Sequence, residues 1–235
     1  MSDFSFLAER LAGLRREIDV ACQAAGRSSD EVLLLPVSKT FPVQAVRQAQ
    51  TLGLQRFGEN RVQELRQKRE ALGAESPAWV VIGPVQTNKA RDVARYADEL
   101  QTLDRIELAE ALDRRLQLEG RGLDVLVQVK TAAEATKHGL APDAVDAFLV
   151  QLARYDTLRV KGFMTVATQS DDPAVVRACF AQLRELRDRS LQAARVPSDA
   201  TRLSMGMSGD FELAIAEGAT ELRIGSRLFG DRAYA

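Results

Sequence analysis

The chain contains few of the residues that disulfide-bonded and metal-binding proteins need. Its 235 residues include only two cysteines and one histidine. Cys22 and Cys179 are far apart, fall in predicted helices and lack metal-ligand spacing, so we expect them to be reduced and structural, as in the cytosol. His138 is the one histidine, and a lone imidazole does not make a metal site.

An excess of charge and long apolar runs are also missing. Lys and Arg number 32 against 33 Asp and Glu, which gives a net charge of −1. This balance provides no overall attraction for nucleic acid or an anionic membrane, although it leaves local basic patches open. No apolar run is long enough to span a bilayer, and residues 1–6 lack the basic and apolar regions of a signal peptide. The expectation is a cytoplasmic protein with neither a nucleic-acid nor a membrane partner.

No linker divides the chain. It has no low-complexity tract and no Pro-, Gly- or Ser-rich segment between periodic stretches. At 46% hydrophobic and 28% charged residues it has the composition of an ordinary globular protein. We therefore predict a single domain over residues 1–235. Apolar residues at helical spacing predict that residues 1–26 form an N-terminal helix that covers one end of the core.

Strands and helices alternate about eight times along the sequence. The predicted strands lie near residues 31–40, 54–60, 78–83, 99–103, 123–129, 158–164, 202–204 and 221–225. This alternation indicates an α/β fold with a parallel sheet, and the chain length favours a closed (β/α)₈ TIM barrel. A doubly wound open sheet is the alternative, but no Gly-rich dinucleotide fingerprint follows an early strand. Pro36 is inconsistent with a central strand, because proline donates no ladder hydrogen bond.

Lys39 ends the first predicted strand. Side chains alternate along a strand, so Leu35, Val37 and Lys39 share one face, and this apolar face ends in an amine. Burial disfavours the charged form of an amine and lowers its pKa, as Schiff-base formation with an aldehyde requires. The alternative is a solvated lysine at the end of a strand.

The loops after the seventh and eighth predicted strands are suited to phosphate, which often binds there in TIM barrels. Ser204-Met-Gly-Met-Ser208 and Gly225-Ser226 offer hydroxyls and backbone N–H groups beside a helix N-terminus. Alternatively, Ser208 is only a helix cap and the glycines are only turn residues. Together with Lys39, these loops favour a phosphorylated aldehyde that is held at both ends.

Arg223 and Asn60 are expected to line the middle of this site. Arg223 shares the inward face of its strand with Gly225, and a buried guanidinium needs an acceptor, which a ring nitrogen of a ligand would supply. The alternative is an ion pair with a carboxylate such as Glu59. Asn60 ends the second predicted strand, where it either orients a ring hydroxyl or caps the following helix.

Five motifs carry a resemblance to a known family. They are Val37-Ser-Lys-Thr40, Phe57-Gly-Glu-Asn60, Ile82-Gly-Pro-Val-Gln-Thr-Asn-Lys89, Leu203-Ser-Met-Gly-Met-Ser208 and Arg223-Ile-Gly-Ser226. In order and spacing, from about Val32 to the end of the chain, they resemble the motifs of the pyridoxal phosphate homeostasis proteins of the YggS/PROSC type. That family has the fold of the alanine racemase N-terminal barrel.

The resemblance implies a cofactor and a role for each matching residue. Lys39 would hold pyridoxal 5′-phosphate as an internal aldimine, Arg223 would face the pyridine nitrogen, and Asn60 would line the ring. The remaining implied residues surround the phosphate: Ser204, Met205, Ser208, Gly225 and Ser226.

Two positions depart from the family pattern. Val80 follows Trp79 where relatives often have a histidine, and Phe41 stands where many have a second lysine. A secondary lysine that traps or relays the cofactor is therefore in doubt. Lys137, in the loop after the fifth strand, is a weaker candidate for that role, and its alternative is a solvated loop lysine.

Three functions remain open from the sequence. The leading hypothesis is a monomeric pyridoxal phosphate carrier, not an enzyme, that buffers and delivers the cofactor, with apo forms of cofactor-dependent enzymes as candidate recipients. The second is a small amino-acid racemase, which needs a second acid/base group. In racemases with this fold that group is a tyrosine from a second domain, and none of Tyr96, Tyr155 and Tyr234 is predicted at a strand exit. The third is a cofactor-free Schiff-base aldolase for a phosphorylated sugar.

Overall fold

The structure, a computed structural model, describes residues 5–134 and 136–230. Its strands alternate with helices throughout. The strands are β1 Leu33–Pro36, β2 Arg56–Glu59, β3 Ala78–Val81, β4 Glu99–Leu103, β5 Leu123–Gln128, β6 Leu158–Met164, β7 Arg202–Ser204 and β8 Glu221–Ile224. The helices are α1 Leu7–Ala24, α2 Val43–Thr51, α3 Val62–Leu72, α4 Ala90–Tyr96, α5 Ile106–Glu119, α6 Val145–Leu152, α7 Pro173–Gln192, α8 Phe211–Ala216 and α9 Ser226–Phe229. None of the helices in these residues is long and apolar enough to cross a membrane.

The strands form one parallel sheet that closes on itself. The order runs β1-β8-β7-β6-β5-β4-β3-β2, and neighbouring strands pair in parallel. The two ends of this series meet at a bridge between Val37 and Gly58, where the Ser38 N–H donates to the Gly58 carbonyl at 3.1 Å. The predicted (β/α)₈ barrel is therefore confirmed, and the carboxyl ends of its strands converge on one rim.

Pro36 belongs to β1 without interrupting its pairing with β8. The Val37 N–H donates to the Ile224 carbonyl of β8 at 2.8 Å, whereas the Ser38 N–H points to β2. Because N–H groups alternate sides along a strand, the missing N–H of Pro36 falls on the β2 side. There the two strands meet only at the single bridge of Val37. β1 ends earlier than predicted, because its pairing with β8 stops at Pro36 and Ile224, and Lys39 lies in the turn that follows the strand.

Helix α1 packs on the outer helical layer of the barrel, against α8 and α9. Residues at spacings of three and four form its buried face: Leu7, Leu11, Leu14, Ile18 and Cys22. After the helix ends, Arg27 donates to the carbonyls of Ile215 and Ala219 at 3.0 and 2.8 Å. The helix predicted over residues 1–26 is thus present from Leu7 to Ala24, and it lies beside the last two βα units; residues 1–4 lie outside the described part.

The floor of the barrel is a charged cluster that the sequence did not predict. Arg56, Glu99, Arg202 and Glu221 are each the first residue of a strand, so they meet at the end opposite the carboxyl rim. Arg202 donates to Glu99 and Glu221 at 2.7 Å each, and Arg56 donates to Glu99 at 2.7 Å and also to Glu221. Both arginines have a raised pKa, because the charges of the carboxylates outweigh the effect of burial.

Candidate functional site

A cavity of about 580 Å³ opens at the carboxyl ends of the strands. Six of the eight residues predicted for the site line it: Lys39, Asn60, Ser208, Arg223, Gly225 and Ser226. The rest of the wall is largely apolar and includes Val37, Phe41, Ile82, Val166 and Met207. An apolar cavity of this volume with a few converging polar groups is typical of a small-molecule site.

Lys39 reaches the cavity from a tight turn. The Phe41 N–H closes this turn on the Ser38 carbonyl at 3.0 Å, and Lys39 is half-buried between them. Thr40 has φ of 68°, in the left-handed region that β-branched residues rarely adopt. The turn therefore presents the side chain of Lys39 to the cavity at the cost of local backbone strain.

Arg223 forms the inner wall of the cavity and is only 4% exposed. Its Nη1 donates to Ser204 Oγ at 2.8 Å and its Nη2 donates to the Thr165 carbonyl at 2.7 Å. These bonds use two of the five N–H donors of a guanidinium. Burial lowers the pKa of Arg223 to about 10, although the charges of Glu221 and Asp210 oppose that shift.

The alternative of an ion pair between Arg223 and Glu59 is wrong. Glu59 is buried and accepts instead from Lys68 at 2.5 Å and from Ser38 at 2.7 Å. Since the two direct partners of Arg223 are a hydroxyl and a carbonyl, no side-chain carboxylate neutralises it by contact within the described residues. A buried guanidinium of this kind favours a polar or anionic acceptor on a ligand.

The loops after β7 and β8 bring two hydroxyls together. Ser208 Oγ lies 3.1 Å from Ser226 Oγ. The first loop turns at Gly206, where φ is 96° and an added Cβ would stand 2.7 Å from the Cβ of Ala214. Asp210 accepts from the Met207 N–H at 2.6 Å, and burial raises its pKa. The paired hydroxyls form a polar corner of the cavity that suits an anion.

Ser204 and Met205, although predicted to surround the phosphate, do not line the cavity. Both are buried, and the Met205 N–H already donates to the Glu221 carbonyl at 3.1 Å. Ser204 Oγ accepts from Arg223 and lies 2.7 Å from Gln101 Oε1. Ser204 on β7 and Arg223 on β8 both face the barrel interior and are neighbours there. Ser204 therefore positions Arg223 and links it to Glu221 of the charged floor.

Asn60 lies on the rim directly after β2 and is held by close backbone packing. An added Cβ at Gly83 would stand 2.2 Å from the Asn60 carbonyl oxygen, so only glycine permits this approach. The N-cap of α3 is Arg61, and the helix has no side-chain cap, so the alternative role of Asn60 as a helix cap does not occur. Its amide side chain is available to a molecule in the cavity.

Lys137 and His138 lie in the loop after β5 and outside the cavity lining. Lys137 donates its backbone N–H to the Glu134 carbonyl at 3.2 Å, and His138 lines a neighbouring cleft with Arg61 and Lys89. Ala135 of the same loop is outside the described residues. The suggestion that Lys137 is a secondary cofactor site therefore stays a prediction.

Comparisons with known proteins identify the family of this chain. A family model described as the alanine racemase N-terminal domain matches residues 10–233. A pyridoxal phosphate homeostasis protein of Pseudomonas aeruginosa is 40% identical over 98% of this chain and 97% of its own length. The corresponding protein of Aquifex aeolicus is 39% identical over 96% and 98%. The fold is thus that of the alanine racemase N-terminal domain class. Within it, the chain belongs to the pyridoxal phosphate homeostasis protein family.

Solved structures give the same classification. PipY of Synechococcus elongatus, solved with pyridoxal phosphate bound, is 37% identical, with a TM-score of 0.82 over 95% of this chain and 100% of PipY. A protein from Bifidobacterium adolescentis is 32% identical, with a TM-score of 0.90 over 97% of both chains. An alanine racemase of Clostridium difficile, at 14% identity and a TM-score of 0.72, shares the fold over 92% of this chain and 56% of its own.

Proposed function

We propose that this protein binds pyridoxal 5′-phosphate as a Schiff base with Lys39 and takes part in its homeostasis in the cytoplasm by buffering and delivery. The observation that carries the proposal is one cavity lined by an amine, a buried guanidinium and a pair of hydroxyls. The names of the relatives and the cofactor bound to PipY support the choice of ligand.

The residues present fit this cofactor. The volume of about 580 Å³ lies within the range of small-molecule sites. When bound, pyridoxal phosphate supplies an aldehyde that condenses with an amine, with loss of one water. The Lys39 amine would provide the nitrogen, Ser208 and Ser226 would hold the phosphate with their hydroxyls, and Gly225 would let the backbone approach. Arg223 would donate to the pyridine nitrogen and disfavour its protonation, and Asn60 would line the ring.

The cavity supports a carrier rather than a racemase. Within the described residues, its only titratable lining side chains are Lys39 and Arg223. Racemisation needs an acid/base group on each face of the α-carbon. The Tyr96 hydroxyl lies on the outer layer, 3.0 Å from Glu70, and Tyr155 does not line the cavity; Tyr234 is outside the described residues. With Lys39 on one face, no second group is evident.

Two assays on the loaded protein test the carrier role. We expect the cofactor to pass to an added apo aminotransferase, whose recovered activity reports the transfer. We also expect no exchange of α-hydrogen for deuterium across a panel of amino acids. Catalytic exchange with turnover would contradict the carrier proposal and favour the racemase. Retention of all cofactor in the presence of excess apoenzyme would contradict delivery.

The hydroxyl pair provides a prediction about phosphate binding. A hydrogen bond to a charged group contributes about 1.5–3 kcal/mol, so loss of both hydroxyls in Ser208→Ala/Ser226→Ala should raise the Kd for pyridoxal phosphate about 100-fold or more. Equilibrium titration measures it. Pyridoxal, which lacks the phosphate, should bind the variant and the parent protein equally, and Ser198→Ala serves as a surface control. Equal losses for both ligands would refute a phosphate role for this pair.

A further inference from the structure

A buried lysine outside the cavity is bound to the turn that carries Lys39. Lys68, on α3, has a side chain that is only 5% exposed. Its Nζ donates to the Ser38 carbonyl at 2.7 Å, to Glu59 Oε1 at 2.5 Å and to Glu64 Oε1 at 3.0 Å. These are three acceptors, as many as an ammonium has protons. The Lys68 amine does not line the cavity described above.

The same two carboxylates accept hydrogen bonds from the turn on both sides of Lys39. Glu59 Oε1 accepts from Ser38 Oγ at 2.7 Å, and Glu64 Oε1 accepts from the Thr40 N–H at 2.6 Å. Ser38 is therefore fixed through its carbonyl and its hydroxyl, and Thr40 through its backbone. Lys39 is the one residue between these two anchors, and it lines the cavity.

This arrangement carries several unfavourable features. Burial raises the pKa of Glu59 despite the charge of Lys68, and Glu59 Oε2 is buried with no hydrogen-bond partner among the described residues. Thr40 has a left-handed backbone. Buried ion pairs frequently stabilise a protein no better than apolar residues of the same volume. Features that cost folding free energy are concentrated where a local geometry has to be held, and here they lie around Lys39.

We propose that Lys68, together with Glu59 and Glu64, is a positioning unit that holds the turn of residues 38–40 so that the Lys39 amine enters the cavity. The inference rests on the proposed function, because it concerns the Schiff base with Lys39. None of the three residues lines the cavity, so they act through the turn and not on the ligand. Disruption of the unit should slow the covalent step and leave binding of the ring and phosphate unchanged.

Paired variants separate this role from a structural one. Lys68→Met alone leaves a buried carboxylate without its cation and is liable to unfold. The double variant Lys68→Met/Glu59→Gln removes both charges together and is the principal test. Glu64→Gln keeps an acceptor for the Thr40 N–H, whereas Glu64→Ala removes it. Lys161→Met is the matched control, because Lys161 pairs with Asp199 on the surface at 2.6 Å.

Two ligands separate binding from condensation. Pyridoxine 5′-phosphate has the ring and phosphate but no aldehyde, and its Kd should stay within about twofold in every variant. With pyridoxal phosphate, stopped-flow absorbance should show Schiff-base formation slowed about tenfold or more in the double variant and in Glu64→Ala. Glu64→Gln and Lys161→Met should keep the rate of the parent protein. The expected split between the two ligands is one that general loss of structure would not give.

Each failure has its own meaning. An unchanged rate in the double variant would overturn the inference while leaving the proposed function intact. A parallel loss of pyridoxine 5′-phosphate binding would also overturn it, because the unit would then be structural. If the parent protein binds pyridoxine 5′-phosphate and forms no Schiff base with pyridoxal phosphate, the covalent part of the proposed function fails and the inference fails with it.

Discussion

Lys39→Ala should abolish the Schiff-base absorbance that appears when pyridoxal phosphate is added to the protein. Among the described residues Lys39 is the only lysine that lines the cavity, so its removal leaves no amine there for the aldehyde. Borohydride reduction, which converts the C=N bond into a stable amine, should leave the variant unlabelled. Spectral titration of the parent protein and the variant measures the loss.

A ligand without the aldehyde distinguishes loss of the covalent bond from loss of binding. The variant keeps Ser208, Ser226 and Arg223, so it should still bind pyridoxine 5′-phosphate with the affinity of the parent protein. Lys161→Ala is the matched control, since Lys161 pairs with Asp199 and does not line the cavity, and it should keep the full absorbance. A Lys39→Ala protein with undiminished colour and one cofactor per chain would contradict the assignment.

Glu221→Gln should cost about 3–5 kcal/mol of the free energy of unfolding, the usual effect of the loss of one partner from a buried ion pair. Glu221 is fully buried and accepts from both Arg56 and Arg202 at the floor of the barrel. Without its charge, Glu99 alone would face the two arginines. Urea unfolding followed by circular dichroism gives the difference in free energy.

A surface variant and the pH dependence sharpen this test. Glu110→Gln breaks an exposed pair with Arg114 and should change stability by less than about 1 kcal/mol. Burial favours a high pKa for Glu221, but Arg56 and Arg202 outweigh it and lower the pKa below the ordinary 4.5. The group therefore contributes stability above about pH 4.5 that is lost as the pH falls through the lowered value. The variant should lack this component, and an acid profile identical to that of the parent protein would contradict the account.

The charged floor is also connected to the wall of the cavity by hydrogen bonds. Ser204 Oγ lies 3.1 Å from Glu221 Oε1 and accepts from Arg223, so one hydroxyl connects the floor with the wall of the site. Gln101 joins the same group through Ser204 at 2.7 Å. Residues at the beginning of the strands thus help to hold the Arg223 guanidinium, which in the proposed function faces the ring nitrogen.

Local pattern and motif order were enough to predict the barrel and most of the cavity. Strand alternation placed Arg223 and Gly225 inside the barrel, and loops after the last two strands brought Ser208 to Ser226 as expected. The signal came from the motifs at the ends of β7 and β8, because the two strands themselves are short and contain charged residues. The same reasoning did not anticipate that Ser204 would lie behind the cavity lining, where it accepts from Arg223; its role at the phosphate stays a prediction.

The sequence could not reveal the contacts that depend on register between distant elements. Lys68 follows Glu64 at helical spacing and by pattern alone is a surface helix lysine. It becomes buried because α3 packs beside the end of β1, where Ser38 and Glu59 meet it. The early end of β1 likewise depends on its register with β8, since the pairing stops at Pro36 and Ile224, and a sequence does not give that register.

The most direct test of the central claim is the position of the covalent label. The protein is loaded with pyridoxal phosphate, reduced with borohydride and digested, and the pyridoxyl-bearing peptide is identified by mass spectrometry. The account predicts one label, on Lys39, in stoichiometric yield. A protein that binds the cofactor and is labelled on another lysine, or not at all, would contradict it.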